Sequence, residues 1–194
     1  YLGCLRAGLV ALPMNPAYLA DEVGYMLGNA EPRVFVGDPA RMEELRPTAP
    51  RLLTLDGRGQ GSLADAAAAE PADLDPARMQ PGDLAAMLYT SGTTGRPKGA
   101  PLSHANLASN AQVLAEAWAF TADDVLLHAL PAFHAHGLFV AGHVSLLSGA
   151  VMLWQDRFDA ARVMALLPQA TVMMGVPTFY TRLLDRPDFG RDTC

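Results

Sequence analysis

The sequence predicts an α/β fold in which mostly parallel sheets are flanked by helices. Apolar runs alternate with helical patterns along the chain, and this alternation is typical of parallel sheets that are covered on both faces. About half of the 194 residues (51%) are hydrophobic, which is enough for a sizeable core. Beyond the alternation of strands and helices, no internal repeat is visible in the sequence.

In the first half of the chain, short apolar runs bounded by turn residues predict strands. Strands are expected at 9–14, 33–37 and 51–55, and helices at 1–8 and 20–27. The stretch 56–82 is rich in Gly, Ala, Asp and Pro. It therefore predicts a surface excursion with one weak helix near 63–69.

The second half of the chain continues the alternation. Ser103 is a good N-cap for the helix that follows it. One face of that helix carries Leu107, Ala111, Leu114 and Trp118. Strands are expected at 84–89, 125–130, 150–154 and 171–175, and helices at 137–147 and 158–167. Pro177 is expected to open the last helix, which runs through Leu184.

The polar segment after the apolar run 84–89 is the most informative part of the sequence. It combines glycines, four hydroxyl side chains, a proline and a lysine: Thr90, Ser91, Gly92, Thr93, Thr94, Gly95, Arg96, Pro97 and Lys98. Glycines let backbone N–H groups turn towards an anion. Hydroxyls add hydrogen-bond donors, and Lys98 adds a mobile positive charge. A strand that runs into such a loop predicts phosphate binding.

Two common nucleotide motifs fit this segment poorly. In the P-loop of many NTPases, the lysine follows a glycine and precedes Ser or Thr, whereas Lys98 follows Pro97 and precedes Gly99. The glycine order of the dinucleotide fingerprint does not match either. A flexible surface hairpin is the remaining alternative, but a hairpin tip does not need four hydroxyls and a lysine in this order.

Residues 90–99, Thr-Ser-Gly-Thr-Thr-Gly-Arg-Pro-Lys-Gly, resemble the signature loop of the AMP-forming acyl-CoA synthetases. This adenylate-forming superfamily also holds firefly luciferase and the adenylation domains of nonribosomal peptide synthetases. The likeness runs from about residue 1 to residue 186. It implies that residues 90–98 hold the phosphates of ATP, with Mg²⁺, while a carboxylate attacks the α-phosphate. It also implies coenzyme A as a further substrate.

A histidine-rich turn follows the predicted strand 125–130. Its residues are Pro131-Ala-Phe-His134-Ala-His136-Gly137, and ligand sites in open α/β sheets favour the carboxyl ends of strands. His-x-His spacing also occurs in metal sites, but zinc needs further ligands that the sequence does not place on the same side. We therefore expect no metal site. Histidines that are satisfied within the core are the other alternative.

The family resemblance assigns a role to this turn. Pro-x-Phe-His-x-x-Gly-Leu is similar to a motif in which an aromatic residue or histidine lines the acyl-substrate pocket, and His134 matches that position. The longer segment with His136 and Gly137, together with Met-Met-Gly-Val-Pro-Thr-Phe-Tyr at 173–180, looks like the malonyl-CoA synthetase branch. Malonate carries a second carboxylate, to which His136 would donate a charge-assisted hydrogen bond if it is protonated.

Val176 and Pro177 form a turn after the predicted strand 171–175. In the family this turn borders the acyl and CoA passage, so the resemblance implies that both residues help to bind substrate. Proline at the first position of a helix is also common for conformational reasons alone. Both interpretations remain open at this point.

Bulk properties exclude several classes of partner. The net charge of −6 disfavours nucleic acid. Two cysteines near opposite ends predict a reducing compartment, and hence the cytoplasm, without a disulfide framework. Residues 125–155 lack Asp, Glu, Lys and Arg and are long enough to span a bilayer. Their four histidines and Pro131 favour a buried strand–loop–helix–strand unit and no membrane association.

The resemblance also implies a longer protein. Residues 1–194 contain no Tyr-Gly-x-Thr-Glu segment, whose glutamate would hold Mg²⁺ in the family. We therefore expect a partial adenylation domain that is inactive alone, with the rest of that domain and the small C-terminal domain absent. The alternatives are an enzyme that activates an aryl, fatty-acyl or amino acid, and an inactive remnant that at most binds nucleotide. Pro101, where the family more often has an aliphatic residue, keeps the remnant open as an alternative.

Overall fold

The computed structural model describes residues 1–90, 96–190 and 193. The chain divides into two compact units, one built from Tyr1–Arg78 and Met87–Pro101 and the other from Met79–Ala86 and Leu102–Cys194. Parallel strand pairs flanked by helices occur in both units. The predicted α/β class with mostly parallel sheets is confirmed.

In the first unit, a pair of parallel strands carries a small apolar core. Strands β1 (Val34–Gly37) and β2 (Arg51–Thr54) pair in parallel, with Val34 opposite Arg51. The helices are α1 (Leu2–Arg6), α2 (Ala20–Ala30), α3 (Met42–Leu45), α4 (Ser62–Ala68) and a 3₁₀ turn at Pro39–Arg41. The core cluster consists of Val23, Leu27, Phe35 and Leu45, so α2 packs onto the strand pair through its buried face.

Strands β3 (Leu84–Thr90) and β4 (Lys98–Ser103) pair with each other in a separate two-stranded sheet. Ala85 and Ala86 of β3 are fully buried, whereas Thr90 at its end is exposed. The predicted phosphate loop therefore joins two paired strands, and its two ends leave the same small sheet.

The second unit is built on three parallel strands. Strand β5 (Val125–His128) lies between β6 (Val151–Trp154) and β7 (Val172–Met174). His128, the last residue of β5, is opposite Trp154 on one side and Met174 on the other. All three strands thus end at the same edge of the sheet.

Helices cover this sheet and complete the main core. They are α5 (His104–Ala117), a π-helix (His136–Gly142), α6 (His143–Ser148), α7 (Ala160–Leu166), a 3₁₀ turn at Leu167–Gln169 and α8 (Pro177–Leu184). Fully buried side chains from strand and helices meet in one cluster, including Leu126, Leu127, Ala141, Val144 and Val163.

Helix starts follow their local sequence signals. The Ser103 hydroxyl accepts a hydrogen bond from the N–H of Asn106 (3.1 Å), and Asn106 Oδ1 accepts one from the N–H of Ser103 (3.0 Å). Pro177 occupies the first turn of α8, where its missing N–H costs nothing. The expected cap at Ser103 and the expected start at Pro177 are both confirmed.

The predicted strand at 9–14 is wrong. Ala11 makes an isolated bridge, in which its carbonyl accepts a hydrogen bond from the N–H of Met87 (2.8 Å), and the neighbouring residues are not in a strand. Pro13 has no N–H to donate, so a ladder cannot continue past it. Conversely, β4 was not expected from the sequence, because Gly99 and Pro101 both disfavour strands.

Other differences are small. The helix expected at 137–147 begins as a π-helix and becomes α-helical at His143. Trp118 is 48% exposed, because it stands at the C-cap of α5 beyond the face that buries Leu107 and Ala111. Residues 125–155 form the expected strand–loop–helix–strand unit. Within the part of the chain that the structure describes, no helix has both the length and the apolar character to cross a membrane.

Hydrogen bonds at Asp124 tie together the amino ends of β5 and β7. The Thr171 hydroxyl donates to Asp124 Oδ1 (2.8 Å) and accepts from the N–H of Val125 (2.9 Å). Asp124 Oδ2 accepts from the N–H of Thr121 (2.8 Å). The Thr121 N–H and then the Thr171 hydroxyl lower the pKa of Asp124 below its ordinary value, because they stabilise the charged carboxylate.

Replacing Thr171 with Val should reduce the acid sensitivity of folding. Because the pKa of Asp124 is lowered in the folded state, its contribution to stability is present above about pH 4 and is lost as pH falls through the lowered value. Thr171→Val removes part of that contribution, so its free energy of unfolding should fall less than that of the wild type below about pH 4. Urea unfolding at several pH values measures how steeply the free energy of unfolding depends on pH.

Thr181→Val is the matched control for this substitution, since the Thr181 hydroxyl donates to the Thr178 carbonyl (3.1 Å) and not to a carboxylate. It should keep the pH slope of the wild type. The same slope in the Thr171→Val variant would contradict the role given to Thr171.

Candidate functional site

Four residues of the predicted phosphate loop lie within the described part of the chain. Thr90 ends β3, and Arg96, Pro97 and Lys98 lead into β4. Ser91, Gly92, Thr93, Thr94 and Gly95 lie outside the described residues. The Thr90 hydroxyl donates to the carbonyl of Lys98 (3.5 Å), so the first and last residues of the loop face each other across the sheet. Lys98 itself is exposed.

Tyr25 of helix α2 holds the second end of this loop. Its hydroxyl donates to the carbonyl of Pro97 (3.1 Å). The guanidinium carbon of Arg96 lies 5.5 Å from the centroid of the Tyr25 ring, which is a cation–π arrangement. One aromatic side chain therefore contacts two consecutive residues directly before Lys98.

Tyr89 connects the other end of the loop to the same helix. Its hydroxyl donates to Asn29 Oδ1 (2.5 Å) and approaches the carbonyl of Met26 (3.4 Å). Burial, and then the nearby Tyr25, raise the pKa of Tyr89, so the phenol stays protonated and keeps its donor at neutral pH. Helix α2 thus supports both ends of the predicted phosphate loop through tyrosine hydroxyls.

A second group of candidate functional side chains gathers at the carboxyl edge of the three-stranded sheet. His128 is 1% exposed, and its Nε2 lies 2.8 Å from the carbonyl oxygen of Gly137. Its ring stacks on Trp154, with centroids 4.1 Å apart and an interplanar angle of 12°. This pair fills the edge from which the histidine-rich turn departs.

The turn between Pro131 and Gly137 is tightly folded. The Pro131 carbonyl accepts from the N–H of His134 (3.2 Å), and the His134 carbonyl accepts from the N–H of Leu138 (2.9 Å). A Cβ on Gly137 would lie 2.3 Å from the Pro131 carbonyl oxygen. The backbone of Gly137 therefore packs directly against the backbone of Pro131, which only glycine allows.

The structure places the two predicted acyl-site histidines in this one turn. His134 is exposed, with its ring centroid 4.5 Å from that of Phe133. His136 is half-buried and begins the π-helix. Burial lowers the pKa of His143, one residue after the π-helix ends. Among the described residues, no group of three or more His, Cys, Asp or Glu side chains could hold a metal ion.

Val176 and Pro177 follow β7 after Gly175, at the edge of the sheet where the histidine-rich turn leaves β5. Val176 is the N-cap of α8 and Pro177 is its first residue; both are exposed. The conformational role of Pro177 is confirmed. Their part in substrate binding stays a prediction.

A comparison with known proteins decides the family. Residues 1–193 match the family described as AMP-binding enzyme. The chain belongs to this family. The match covers both compact units, including the predicted phosphate loop and the histidine-rich turn.

Individual relatives of this AMP-binding enzyme differ in the acid that they are named for. The chain is 35% identical over 192 residues to the mitochondrial malonate–CoA ligase ACSF3 of Mus musculus, covering 94% of this chain and 32% of the relative. It is 34% identical over 187 residues to a feruloyl-CoA synthase of Amycolatopsis sp, covering 95% of this chain and 37% of the relative.

Among solved structures, ATP-bound MatB from Rhodopseudomonas palustris superposes with a TM-score of 0.95. It shares 48% sequence identity over 100% of this chain and 39% of MatB. The chain spans about a third of the length of the curated relatives that it matches.

Four residues at these positions were not predicted from the sequence: Tyr25, Tyr89, His128 and Trp154. Tyr25 and Pro97 are 72 positions apart, so no local pattern indicates their contact. His128 was noticed only as one of four histidines in a stretch without charges. The single polar side chain in the otherwise apolar run 125–130 is the signal that could have indicated it.

Gly137→Ala should destabilise the protein by about 2 kcal/mol or more, because the added methyl group would overlap the Pro131 backbone. Thermal and urea unfolding measure the loss. Gly142→Ala in the same π-helix is the control, since the nearest atom to its added Cβ, the Gly137 carbonyl oxygen, is 3.4 Å away. Equal stability of the two variants would show that the close backbone contact is not needed.

Proposed function

We propose that this chain is part of an ATP-dependent carboxylate–CoA ligase that acts through an acyl-adenylate. The observation that carries the proposal is the loop sequence at residues 90–98 in a chain that matches the AMP-binding enzyme family over residues 1–193. We further propose malonate, or a similar small dicarboxylate, as the acid. The activity belongs to the full-length ligase, and residues 1–194 alone are expected to be inactive.

In the first half-reaction, a carboxylate oxygen of the acid attacks the α-phosphorus of ATP. A new oxygen–phosphorus bond forms, the bond to the bridging oxygen breaks, and pyrophosphate leaves. Residues 90–98 bind the β- and γ-phosphates, where the hydroxyls and Lys98 stabilise the negative charge that develops on the leaving group. The tyrosine contacts of α2 support this role, because they fix the backbone on both sides of the loop.

Mg²⁺ would accompany ATP in this reaction. Its usual ligands in nucleotide sites are phosphate oxygens, water and one or two carboxylates. The described residues offer no cluster of carboxylates or imidazoles for a metal. In the full-length ligase, the carboxylate ligand would be the glutamate of the Tyr-Gly-x-Thr-Glu segment that the family resemblance implies. The hydroxyl of Thr93 or Thr94 would contact either a phosphate oxygen or Mg²⁺.

In the second half-reaction, the thiol of coenzyme A attacks the carbonyl carbon of the acyl-adenylate. A carbon–sulfur bond forms, the bond from that carbon to the AMP oxygen breaks, and the thiol proton is released. The position of Val176 and Pro177 at the carboxyl edge of the sheet supports their proposed contact with the acyl group and the CoA arm.

The histidine-rich turn supports a small dicarboxylate as the acid. His136 is half-buried at the start of a π-helix, a form of helix that is frequent at functional sites. Its imidazole would bind the carboxylate that does not react, while His134 lines the acyl pocket. An apolar or aromatic side chain at position 136 would suit a fatty-acyl or aryl acid better.

An aryl acid is the second candidate, because a feruloyl-CoA synthase is nearly as similar to the chain as a malonate–CoA ligase. The remnant that binds nucleotide without activity remains the third. The cytoplasmic localisation stays a prediction, and one relative is mitochondrial by name.

His136→Ala in the full-length ligase should raise KM for malonate about tenfold or more, because a charge-assisted hydrogen bond to carboxylate is lost. KM for ATP should stay within about twofold. Acid-dependent ATP–pyrophosphate exchange over a panel of malonate, ferulate and fatty acids measures both constants. Unchanged malonate turnover in this variant, or preferred exchange with ferulate, would argue against a dicarboxylate.

Substitutions of Tyr25 should raise KM for ATP. Tyr25→Phe keeps the ring beneath Arg96 but loses the hydrogen bond to Pro97, for which about a fivefold increase is expected. Tyr25→Ala loses both contacts and should show a larger increase. Tyr18→Phe is the control in the same unit, because the Tyr18 hydroxyl makes no hydrogen bond within residues 1–90 and 96–190. An unchanged KM for ATP in Tyr25→Ala would show that the contacts of α2 with the loop do not contribute to ATP binding.

A further inference from the structure

His128 is a buried polar side chain that the proposed reaction does not use. It ends the central strand of the three-stranded sheet and is 1% exposed. Its ring is held by Trp154 on one face, and its Nε2 contacts the Gly137 carbonyl oxygen at 2.8 Å.

The hydrogen bond fixes which ring nitrogen carries a proton. A carbonyl oxygen can only accept, so His128 Nε2 must donate its hydrogen to Gly137. The other ring nitrogen, Nδ1, is buried and has no hydrogen-bond partner among the described residues. In the neutral tautomer, Nδ1 therefore carries a lone pair that accepts no hydrogen bond from the described residues.

An imidazole in this position is costly if it serves packing alone. A buried acceptor without a partner destabilises the fold by an amount comparable to a lost hydrogen bond. A leucine or phenylalanine would fill similar space between β6 and the π-helix without that cost. The Nε2–H donation to Gly137 is what an apolar side chain cannot supply.

The accepting carbonyl lies at the centre of the histidine-rich turn. Gly137 follows His136 directly, and its own backbone is pressed against Pro131. By accepting a hydrogen bond from His128, the Gly137 carbonyl anchors the first turn of the π-helix, and His136 is the first residue of that helix. The hydrogen bond from His128 therefore helps to fix the backbone from which the His136 imidazole projects.

We propose that His128 is a positioning residue for acid recognition: by donating Nε2–H to the Gly137 carbonyl, it sets the orientation of His136 towards the carboxylate of the substrate. This inference rests on the proposed function of the His136 turn. Trp154 contributes by stacking on His128 and so holding the plane of its ring.

Two substitutions of His128 in the full-length ligase distinguish the effect of losing the hydrogen bond to Gly137 from the effect of changing a buried side chain. The amide nitrogen of Gln can take the place of His Nε2, whereas the shorter Asn places its nitrogen near the position of Nδ1. His128→Gln should therefore retain the bond to Gly137, and His128→Asn should lose it. We expect KM for the acid to rise about tenfold in the Asn variant and to stay within about threefold of wild type in the Gln variant. KM for ATP should change less than about twofold in both.

Thr171→Val is the matched control, because it removes hydrogen bonds at the opposite end of the same strands. It should lower stability without a selective change in KM for the acid. If His128→Asn fails to fold, Trp154→Leu takes its place, since Trp154 is 46% exposed and its replacement removes the stacking on His128. A rise of about threefold in KM for the acid is then expected.

Equal KM values for the acid in wild type, His128→Gln and His128→Asn would overturn the proposal. So would an equal loss in the Gln and Asn variants that affects kcat and KM for ATP as much as KM for the acid, since that pattern indicates packing alone.

A measurement without turnover separates this proposal from the proposed function. The ¹⁵N chemical shifts of the His136 ring should match wild type in His128→Gln and differ in His128→Asn. If the wild type turns over none of the acids, the proposed ligase function fails, and these shifts still decide the role of His128. Identical His136 shifts in all three proteins would reject that role even in an active ligase.

Discussion

Parallel pairing of β5 with both β6 and β7 is the constraint on which the second unit depends. Because the three strands run in the same direction, their carboxyl ends reach one edge, and every loop that leaves them starts there. His128, Trp154 and Met174 are register partners at that edge. The histidine-rich turn and the turn at Val176 are thus neighbours through the sheet, although about forty residues separate them in sequence.

In the first unit, helix α2 plays the corresponding role for the loop that joins β3 and β4. It buries Val23, Met26 and Leu27 on the face towards its own core. Tyr25 and Asn29 carry the contacts to the two ends of the loop. A helix whose apolar face is fixed by packing is a rigid support, so its polar contacts can define the position of a loop rich in glycine.

Local signals were sufficient where a single residue decides the conformation. Ser103 and Pro177 predicted the starts of α5 and α8, because capping and the fixed φ of proline act within one turn. The strand predicted at 9–14 was wrong because its conformation depends on a partner, β3, that is distant in sequence, and because Pro13 stops the ladder. The contact of Tyr25 with Pro97 and the burial of His128 depend on tertiary structure and leave no periodic pattern.

The π-helix at His136–Gly142 has an implication for how this turn changes in evolution. A π-helix closes its hydrogen bonds one residue later than an α-helix, so it holds one residue more per turn over the same rise. Deleting a single residue there would convert the segment to a regular α-helix and leave the buried face of α6 in phase with the core. Most helical segments would instead rotate their apolar face towards solvent after such a deletion. Outside Gly137, whose backbone contact with Pro131 excludes a side chain, this helix can therefore lose one residue without turning the apolar face of α6 away from the core.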